Sequence, residues 1–376
     1  MNIGIDVRLL LSPVRTGVGE YTYELLNAIF QIDKQNQYFL FYNSYKDLDK
    51  YLPNWKYNNV HFVKKNWPNK IFNFCQKFLN WPKIDKIITK KAPPQNLDYF
   101  FSPNFNFTAL SKKTKKILTV HDLSFEFFPE YFSFKQKLWH SFIRPKKQCF
   151  KSNIILVPSV NTKRDLINFY NIPENKIHVI YPGISPVFKN SPEQNRKLNL
   201  PDNYVLFLGT IEPRKNILSI VEAYEKSFTR LPLPYHLVIA GARGWKNKEI
   251  FKRIDNSPLK QKISFVDYIK NEDKPELYRR ANIFVYPSFY EGFGFPVLEA
   301  MYSGLPVITS NRSSMPEITS SGAWLVDPNK STQIADGLVE ILNNPKLKDT
   351  LVVGATKEAK KFDWIKTAKE FLEILK

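Results

Sequence analysis

Glu291 and Glu299, with seven residues between them, stand in Phe289-Tyr290-Glu291-Gly292-Phe293-Gly294-Phe295-Pro296-Val297-Leu298-Glu299. The apolar run Ile283-Phe284-Val285-Tyr286 before them fits a buried parallel strand. Val297 to Tyr302 is apolar at helical spacing, with Pro296 suited to the first helical position. Gly292 and Gly294 occupy the turn between. A strand, a glycine turn and a helix N-terminus make an anion site, because backbone N–H groups and the positive end of the helix dipole face the same way. Glu291 in the turn and Glu299 about one turn into the helix can border one crevice. A carboxylate is a poor phosphate ligand but a good acceptor for paired sugar hydroxyls. Phosphate donors between two hydroxyl acceptors point to a nucleotide sugar. The plain alternative is two exposed glutamates near a helix N-terminus, stabilised by its dipole.

Other residues fit the same chemistry. Arg214-Lys215 follows the apolar run Leu206-Phe207-Leu208-Gly209. Arg offers a bidentate fork and Lys a mobile point charge, so the pair can converge on a diphosphate. In isolation a basic surface pair looks identical. His121 follows the apolar run Ile117–Val120 and so projects from the end of a strand, where Asp122 can orient it or cap a turn. Thr16-Gly17-Val18-Gly19 follows a strand at residues 2–8 and leads into a helix from about Glu20 to Phe30. It lacks the third glycine of a dinucleotide fingerprint, but it is a place where backbone can approach a ligand closely.

The elements that must position these residues alternate. After the first strand and helix come strand signals at Tyr38–Tyr42, Val60–Val63, Tyr99–Phe101, Ile117–Val120, Ile154–Val157 and His178–Ile180, with helical segments between several of them. A second series has strands at Tyr204–Leu208, His236–Ala240, Ile263–Val266, Ile283–Tyr286 and Val307–Thr309. Its helices fall near Ile217–Phe228, Pro275–Ala281, Thr332–Leu342 and Leu347–Phe362. Repeated alternation predicts an α/β fold of two doubly wound parallel sheets facing across a cleft. The polar stretch from Pro186 to Asn203 reads as the linker.

With 376 residues, 43% of them hydrophobic, the chain can fill two cores and is not disordered. No run approaches a membrane span, and the N-terminus opens on a strand without a signal-like segment. Cys75 and Cys149 show no zinc spacing. Those features fit a cytoplasmic protein with free thiols. The net charge is +20, and residues 1–189 carry 28 Lys and Arg against 13 Asp and Glu. Such asymmetry suggests an anionic partner, lipid or nucleic acid; a generally lysine-rich composition is the alternative. Within Lys64–Lys91, the positions Ile71, Phe74, Cys75, Phe78 and Leu79 share one helical face among many lysines. This segment reads as an interfacial helix on an anionic membrane or as a core helix with a lysine-covered outer side. Lys112-Lys113-Thr114-Lys115-Lys116 reads as a solvated loop. No nucleic-acid recognition module is present.

The segment Tyr290–Met301 resembles the signature of retaining glycosyltransferases of family 4, which have two-domain GT-B folds. Leu208-Gly209-Thr210-Ile211-Glu212-Pro213-Arg214-Lys215-Asn216 resembles their donor-diphosphate loop, and Pro306–Asn311 and Ser314–Glu317 match the segments that follow. Thr119-Val120-His121-Asp122-Leu123 and Gly17-Val18-Gly19 resemble N-terminal family elements. The matches keep their order over nearly the whole chain. The resemblance implies an N-terminal acceptor-side domain over 1–185, rejoined by a final helix at 363–376, and a donor-binding domain over 186–362. It implies that Arg214 and Lys215 neutralise the leaving diphosphate, that Glu291 holds donor-sugar hydroxyls, and that Glu299 holds the ribose. Gly209, Gly292, Phe293 and Gly294 would line the donor, with Gly17, Gly19 and His121 approaching it. Gly244-Trp245 resembles members near their base-binding region. GDP-mannose is the implied donor, with UDP-glucose, UDP-N-acetylglucosamine and dTDP-rhamnose as alternatives. A glycan or polyprenyl-linked acceptor would place the enzyme on the inner face of the plasma membrane. Asp47-Leu48-Asp49 resembles the metal-binding Asp-x-Asp of the other glycosyltransferase fold, but its position at a helix start reads as capping. No metal and no cofactor beyond the nucleotide sugar is expected. A non-catalytic sugar-nucleotide-binding scaffold and a nucleic-acid-binding protein are the competing classes.

Overall fold

A computed structural model describes residues 1–91, 96–189 and 198–376. The chain forms two compact units. The first comprises Met1–His121, Leu138–Gly183 and Trp364–Lys376, and the second Asp122–Lys137 and Ile184–Asp363.

In the first unit seven strands form one parallel sheet: β1 (Asn2–Asp6), β2 (Gln37–Asn43), β3 (Val60–Lys65), β4 (Tyr99–Ser102), β5 (Lys115–Thr119), β6 (Ile154–Val157) and β7 (Ile177–Val179). Their order is β3-β2-β1-β4-β5-β6-β7. The second sheet contains β8 (Tyr204–Leu208), β9 (His236–Ala240), β10 (Ile263–Val266), β11 (Ile283–Tyr286), β12 (Val307–Ser310) and β13 (Trp324–Val326), in the order β10-β9-β8-β11-β12-β13. The central strands are apolar on both faces: every residue of β4, β8 and β11 is buried, as a parallel sheet covered on both sides requires. Both are doubly wound sheets of the GT-B kind. Each winding reverses once, between β1 and β4 and between β8 and β11. Loops at the carboxyl ends of strands flanking such a reversal diverge and leave a crevice.

Four features depart from the sequence reading. The first helix spans Gly17–Ile32, because the Glu20 N–H already donates to the Thr16 carbonyl at 2.8 Å. Gly17 and Gly19 are therefore its first turn rather than a preceding loop. Strand β13 was not expected; it has only three residues. Asp122–Lys137 belongs with the second unit, not the first. The Lys112–Lys116 cluster is not simply a solvated loop, because Lys115 and Lys116 begin β5 and Lys116 is buried; of the expected linker, residues 190–197 lie outside the described residues.

Lys64–Lys91 shows which side of its helix faces inward. An α-helix (Asn69–Phe74) runs directly into a π-helix (Cys75–Leu79). Phe72 is buried with Phe39, Phe41, Val63, Ile84, Ile88 and Phe100. The face containing Ile71, Phe74, Phe78 and Leu79 is turned outward, each side chain more than half exposed. These residues are not core. No helix among the described residues is long and apolar enough to cross a membrane.

The last helix (Trp364–Ile374) returns the chain to the first unit. Phe371 packs against Phe101 at 5.1 Å, Trp364 meets Tyr21 edge-on at 5.7 Å, and the Thr367 hydroxyl donates to the Tyr181 carbonyl at 2.7 Å. Phe371 is 1% exposed, so Phe371→Ala should cost about 3–5 kcal/mol. Urea denaturation of the intact chain reads this as an earlier transition; an unchanged transition would show that the helix is dispensable.

Candidate functional site

The reversal between β8 and β11 brings the second unit's charged residues together. After β8 the chain enters a 3-10 turn at Pro213–Lys215 and then Asn216, whose φ of +59° places it in the left-handed region. The Asn216 side-chain amide donates to the carbonyls of Pro287 and Pro328 at 3.1 and 2.6 Å, and the Phe289 N–H donates to the Arg214 carbonyl at 3.0 Å. These bonds tie the loop after β8 to the loop after β11.

Arg214, Lys215 and Glu291 meet there. The Arg214 Nη1 lies 3.1 Å from Glu291 Oε2 and donates to the Tyr290 carbonyl at 2.6 Å. Its Nη2 and Nε donate to Glu212 Oε1 at 2.7 and 3.1 Å. Lys215 Nζ donates to Glu291 Oε1 at 2.6 Å and to the Tyr286 hydroxyl at 2.5 Å, and that hydroxyl lies 3.1 Å from the same carboxylate oxygen. Burial alone would push the Glu291 carboxyl up, but the charges of Arg214 and Lys215 outweigh it and bring it to about 2. Burial and the neighbouring Arg214 charge push the Lys215 ammonium down, against the pull of Glu291 and Glu212. Arg214 is raised: Glu291, Glu212 and Asp122 together overcome its burial. Two cations and two carboxylates thus share one buried pocket of charge.

The glycine turn is built around this cluster. Gly294, with φ +103°, precedes the helix Phe295–Tyr302, and a Cβ there would come within 2.3 Å of the Met315 methyl. Only glycine fits. Pro296 is the second helical residue, one later than expected. The Glu291 N–H donates to Ser313 Oγ at 3.0 Å, and Ser314 Oγ lies within 3.0 Å of the carbonyls of Glu291 and Phe293. Gly209 and Gly241 end β8 and β9. At Gly241, φ is +134° and a Cβ would meet the Gly209 carbonyl oxygen at 2.1 Å, so the two backbones pass in direct contact.

Glu299 is not an exposed dipole-stabilised glutamate. It is 7% exposed, accepts from the Tyr278 hydroxyl at 2.9 Å and pairs with Lys274 at 3.1 Å. Burial and Glu299 together push the Tyr278 phenol well up. Glu212, Tyr286, Lys274 and Tyr278 were not singled out from the sequence. Glu212 alone carried a signal there, as an acid two residues before Arg214.

His121 and the Gly17–Gly19 turn lie in the first unit. His121 Nε2 lies 2.8 Å from the Pro103 carbonyl, and its ring meets Tyr21 edge-on at 4.8 Å. A carbonyl can only accept, so Nε2 carries the proton. Asp122 caps rather than orients: its Oδ1 accepts from the Ser124 N–H and hydroxyl at 2.9 and 2.7 Å. Trp245 donates from Nε1 to the Tyr131 carbonyl at 2.6 Å and stacks on Phe132. Asp49 does not cap a helix; it pairs with Lys64 at 3.0 Å.

The first half of the chain, residues 15–188, matches the model named "Glycosyltransferase Family 4", and residues 189–358 match "Glycosyl transferases group 1". O-antigen chain mannosyltransferase B of Escherichia coli is 31% identical over 274 residues, covering 71% of each chain. The chain belongs to glycosyltransferase family 4. Solved GT-B structures align over its whole length. Sucrose-phosphate synthase of Thermosynechococcus elongatus gives a TM-score of 0.75 at 18% identity, covering 99% of this chain and 98% of the other. Anabaena HepE, solved in complex with UDP-glucose, gives 0.70 at 16%, covering 100% and 99%. In this glycosyltransferase the charged cluster occupies the reversal point of the second sheet, where an α/β fold places ligands.

The Glu291 carboxyl lies below its ordinary value of 4.5, so its stabilisation is fully present above about pH 4.5 and is lost as the pH falls toward 2. Glu291→Gln leaves two buried cations short of a partner and should lower stability by about 3 kcal/mol at neutral pH. It should also flatten the acid limb of stability against pH. Denaturation series for both proteins check this; parallel acid limbs would show that Glu291 is not the titrating group.

Proposed function

We propose that this enzyme is a retaining mannosyltransferase, moving mannose from GDP-mannose to a hydroxyl of a glycan or polyprenyl-linked acceptor in cell-surface polysaccharide synthesis. The observation that carries the reading is the meeting of Arg214, Lys215 and Glu291 beside the glycine-capped helix Phe295–Tyr302. The similarity to an E. coli O-antigen mannosyltransferase supports mannose, and the HepE complex supports a nucleotide sugar as the donor class.

A diphosphate leaving group develops negative charge as its bond to the sugar breaks. Arg214 and Lys215 supply fixed positive charge where that happens, with the helix N-terminus behind them. Glu291 then exchanges its cation contacts for sugar hydroxyls, which a carboxylate accepts well. Glu299, held by Tyr278 and Lys274, presents the acceptor for the ribose. His121, Gly17 and Gly19 enter this reading through the family resemblance.

Retention follows from front-face attack. The acceptor oxygen bonds to the anomeric carbon on the face from which the phosphate oxygen departs, and the departing diphosphate takes the acceptor proton. No metal ion is needed in this scheme. Its site is anionic-ligand chemistry built from Arg, Lys and backbone dipole, and in the Asp-x-Asp at Asp47 and Asp49 the second carboxylate is paired with Lys64. The protein is proposed to act at the cytoplasmic surface of the membrane, where a lipid-linked acceptor is presented.

A melting-temperature screen over GDP-mannose, UDP-glucose, UDP-N-acetylglucosamine and dTDP-rhamnose should show the largest rise with GDP-mannose. Arg214→Ala and Lys215→Ala should each lower turnover on the best donor by about a hundredfold to a thousandfold. Near-normal turnover in both variants would sink the assignment. Turnover should also survive a chelator; strict loss restored by a divalent ion would overturn the metal-free scheme.

A further inference from the structure

The first unit contains a cavity of about 660 Å³ that the donor chemistry leaves unused. Its walls come from the π-helix and the residues after it, the connection between β4 and β5, and residues 142–153. Six cations line it: Lys77, Lys112, Lys116, Arg144, Lys147 and Lys151. No carboxylate does. Among the described residues none of the six is paired with an acid. Lys116 Nζ donates to Gln148 Oε1 at 3.2 Å, and the Lys77 ammonium lies 3.5 Å over the Phe142 ring.

Lys116 is 9% exposed. Burial, only partly offset by Cys149 and Asp6, brings its ammonium down to about 8. Lys112, Arg144, Lys147 and Lys151 are exposed around buried Lys116 and half-buried Lys77, and like charges converging on one concavity focus potential that an anion relieves. A volume of this size takes a headgroup rather than a bare ion.

The surroundings of the cavity distinguish the ligand further. Phe78 and Phe142 form part of its wall, and both are exposed. Phe74, Leu79 and Trp139 are exposed as well, with Phe74 and Phe78 rings 4.9 Å apart. Large apolar side chains around a cationic pocket match a bilayer interface, where acyl chains meet phosphate. A nucleic-acid backbone would call for an extended basic track; here the cations converge on one hollow.

We propose that this cavity binds the phosphate-bearing headgroup of an anionic membrane lipid, with Phe74, Phe78, Leu79, Trp139 and Phe142 entering the bilayer interface around it. The inference deepens the reading of a membrane-borne acceptor by giving the membrane a defined site. Its test uses no donor, so either idea can fail without the other.

The full chain is mixed at low salt with phosphatidylcholine vesicles and with vesicles containing added phosphatidylglycerol, and bound protein is separated by flotation. Binding should require phosphatidylglycerol and weaken as salt rises. Lys147 and Lys151 are exposed, so Lys147→Glu with Lys151→Glu should keep the melting temperature while lowering vesicle affinity roughly a hundredfold. Phe74→Ser with Phe78→Ser should lower it with the charges intact. Absence of binding to phosphatidylglycerol vesicles overturns the proposal, as does equal binding by the charge-reversed protein. Salt-sensitive oligonucleotide binding without vesicle binding would assign the cavity to nucleic acid instead. Stabilisation by inorganic pyrophosphate without vesicle binding would assign it to a soluble phosphate, and either result overturns the membrane assignment.

Discussion

The second unit depends on one carboxylate shared between two cations. Arg214 and Lys215 are adjacent in sequence, Lys215 buried and the Arg214 side chain 13% exposed, so their charges repel at close range in a poor dielectric. Glu291 bridges them from the loop after β11, and Glu212 answers Arg214 from the loop's own start. The cluster is electrically balanced only when all four groups are counted. This balance permits two cations to stand together at the reversal of the sheet, and under the proposed function it sets the terms on which a diphosphate enters. In the proposed reaction an incoming diphosphate would replace Glu291 as the partner of the cations, leaving the carboxylate with acceptor capacity for a sugar. Charge exchange of this kind would couple recognition of the phosphate to recognition of the sugar.

Rigidity around the cluster comes from packing rather than charge. Asp122–Lys137 carries Phe127 and Phe128, whose rings meet Tyr290 at 5.7 and 5.9 Å, and Tyr131, which stacks on Phe289. The same segment accepts hydrogen bonds from Trp245 and Lys246 at Tyr131 and Glu130. Tyr290 and Phe289 therefore cannot swing independently, and the Tyr290 carbonyl that receives Arg214 is held in place. Aromatic rings give large contact area for few rotatable bonds, which suits a site whose charged groups must not wander.

The strand alternation was plainly legible in the sequence because buried parallel strands are nearly uninterrupted apolar runs. Twelve of the thirteen strands announce themselves in this way; β13, three residues with Leu325 exposed, does not. The residues of the charged cluster were legible through motif order, since spacing by itself left Glu291 and Glu299 equal to surface glutamates. Tyr286 and Tyr278 were not, because Tyr286 reads as an ordinary aromatic ending an apolar run and Tyr278 as a packing residue of a short helix, and only the fold shows a hydroxyl aimed at a carboxylate. The membership of Asp122–Lys137 was hidden for a related reason. Its aromatic density predicts burial but contains nothing that says against which sheet. Helix periodicity around Asn69–Asn80 correctly grouped Ile71, Phe74, Phe78 and Leu79 on one face, yet periodicity cannot say whether such a face looks inward. Phe72, off that face, makes the core contact.

The charge excess of the first 189 residues takes on a different meaning once side chains have positions. A general surplus of lysine would scatter cations over solvent-exposed surface, where each is hydrated and costs little. Of the six cations around the cavity four are exposed and hydrated, and the cost is concentrated in Lys116, nearly inaccessible on β5. Folding tolerates such a cluster when something outside the chain supplies the missing anion, because binding to the folded form alone shifts the equilibrium toward it. The second unit solves the same problem internally, with Glu212 and Glu291 set against Arg214 and Lys215. One sheet thus carries its counter-charge in sequence, while the cavity beside the other has no acid in its lining. That difference, rather than net charge, is what separates the proposed exchange site from the proposed membrane site.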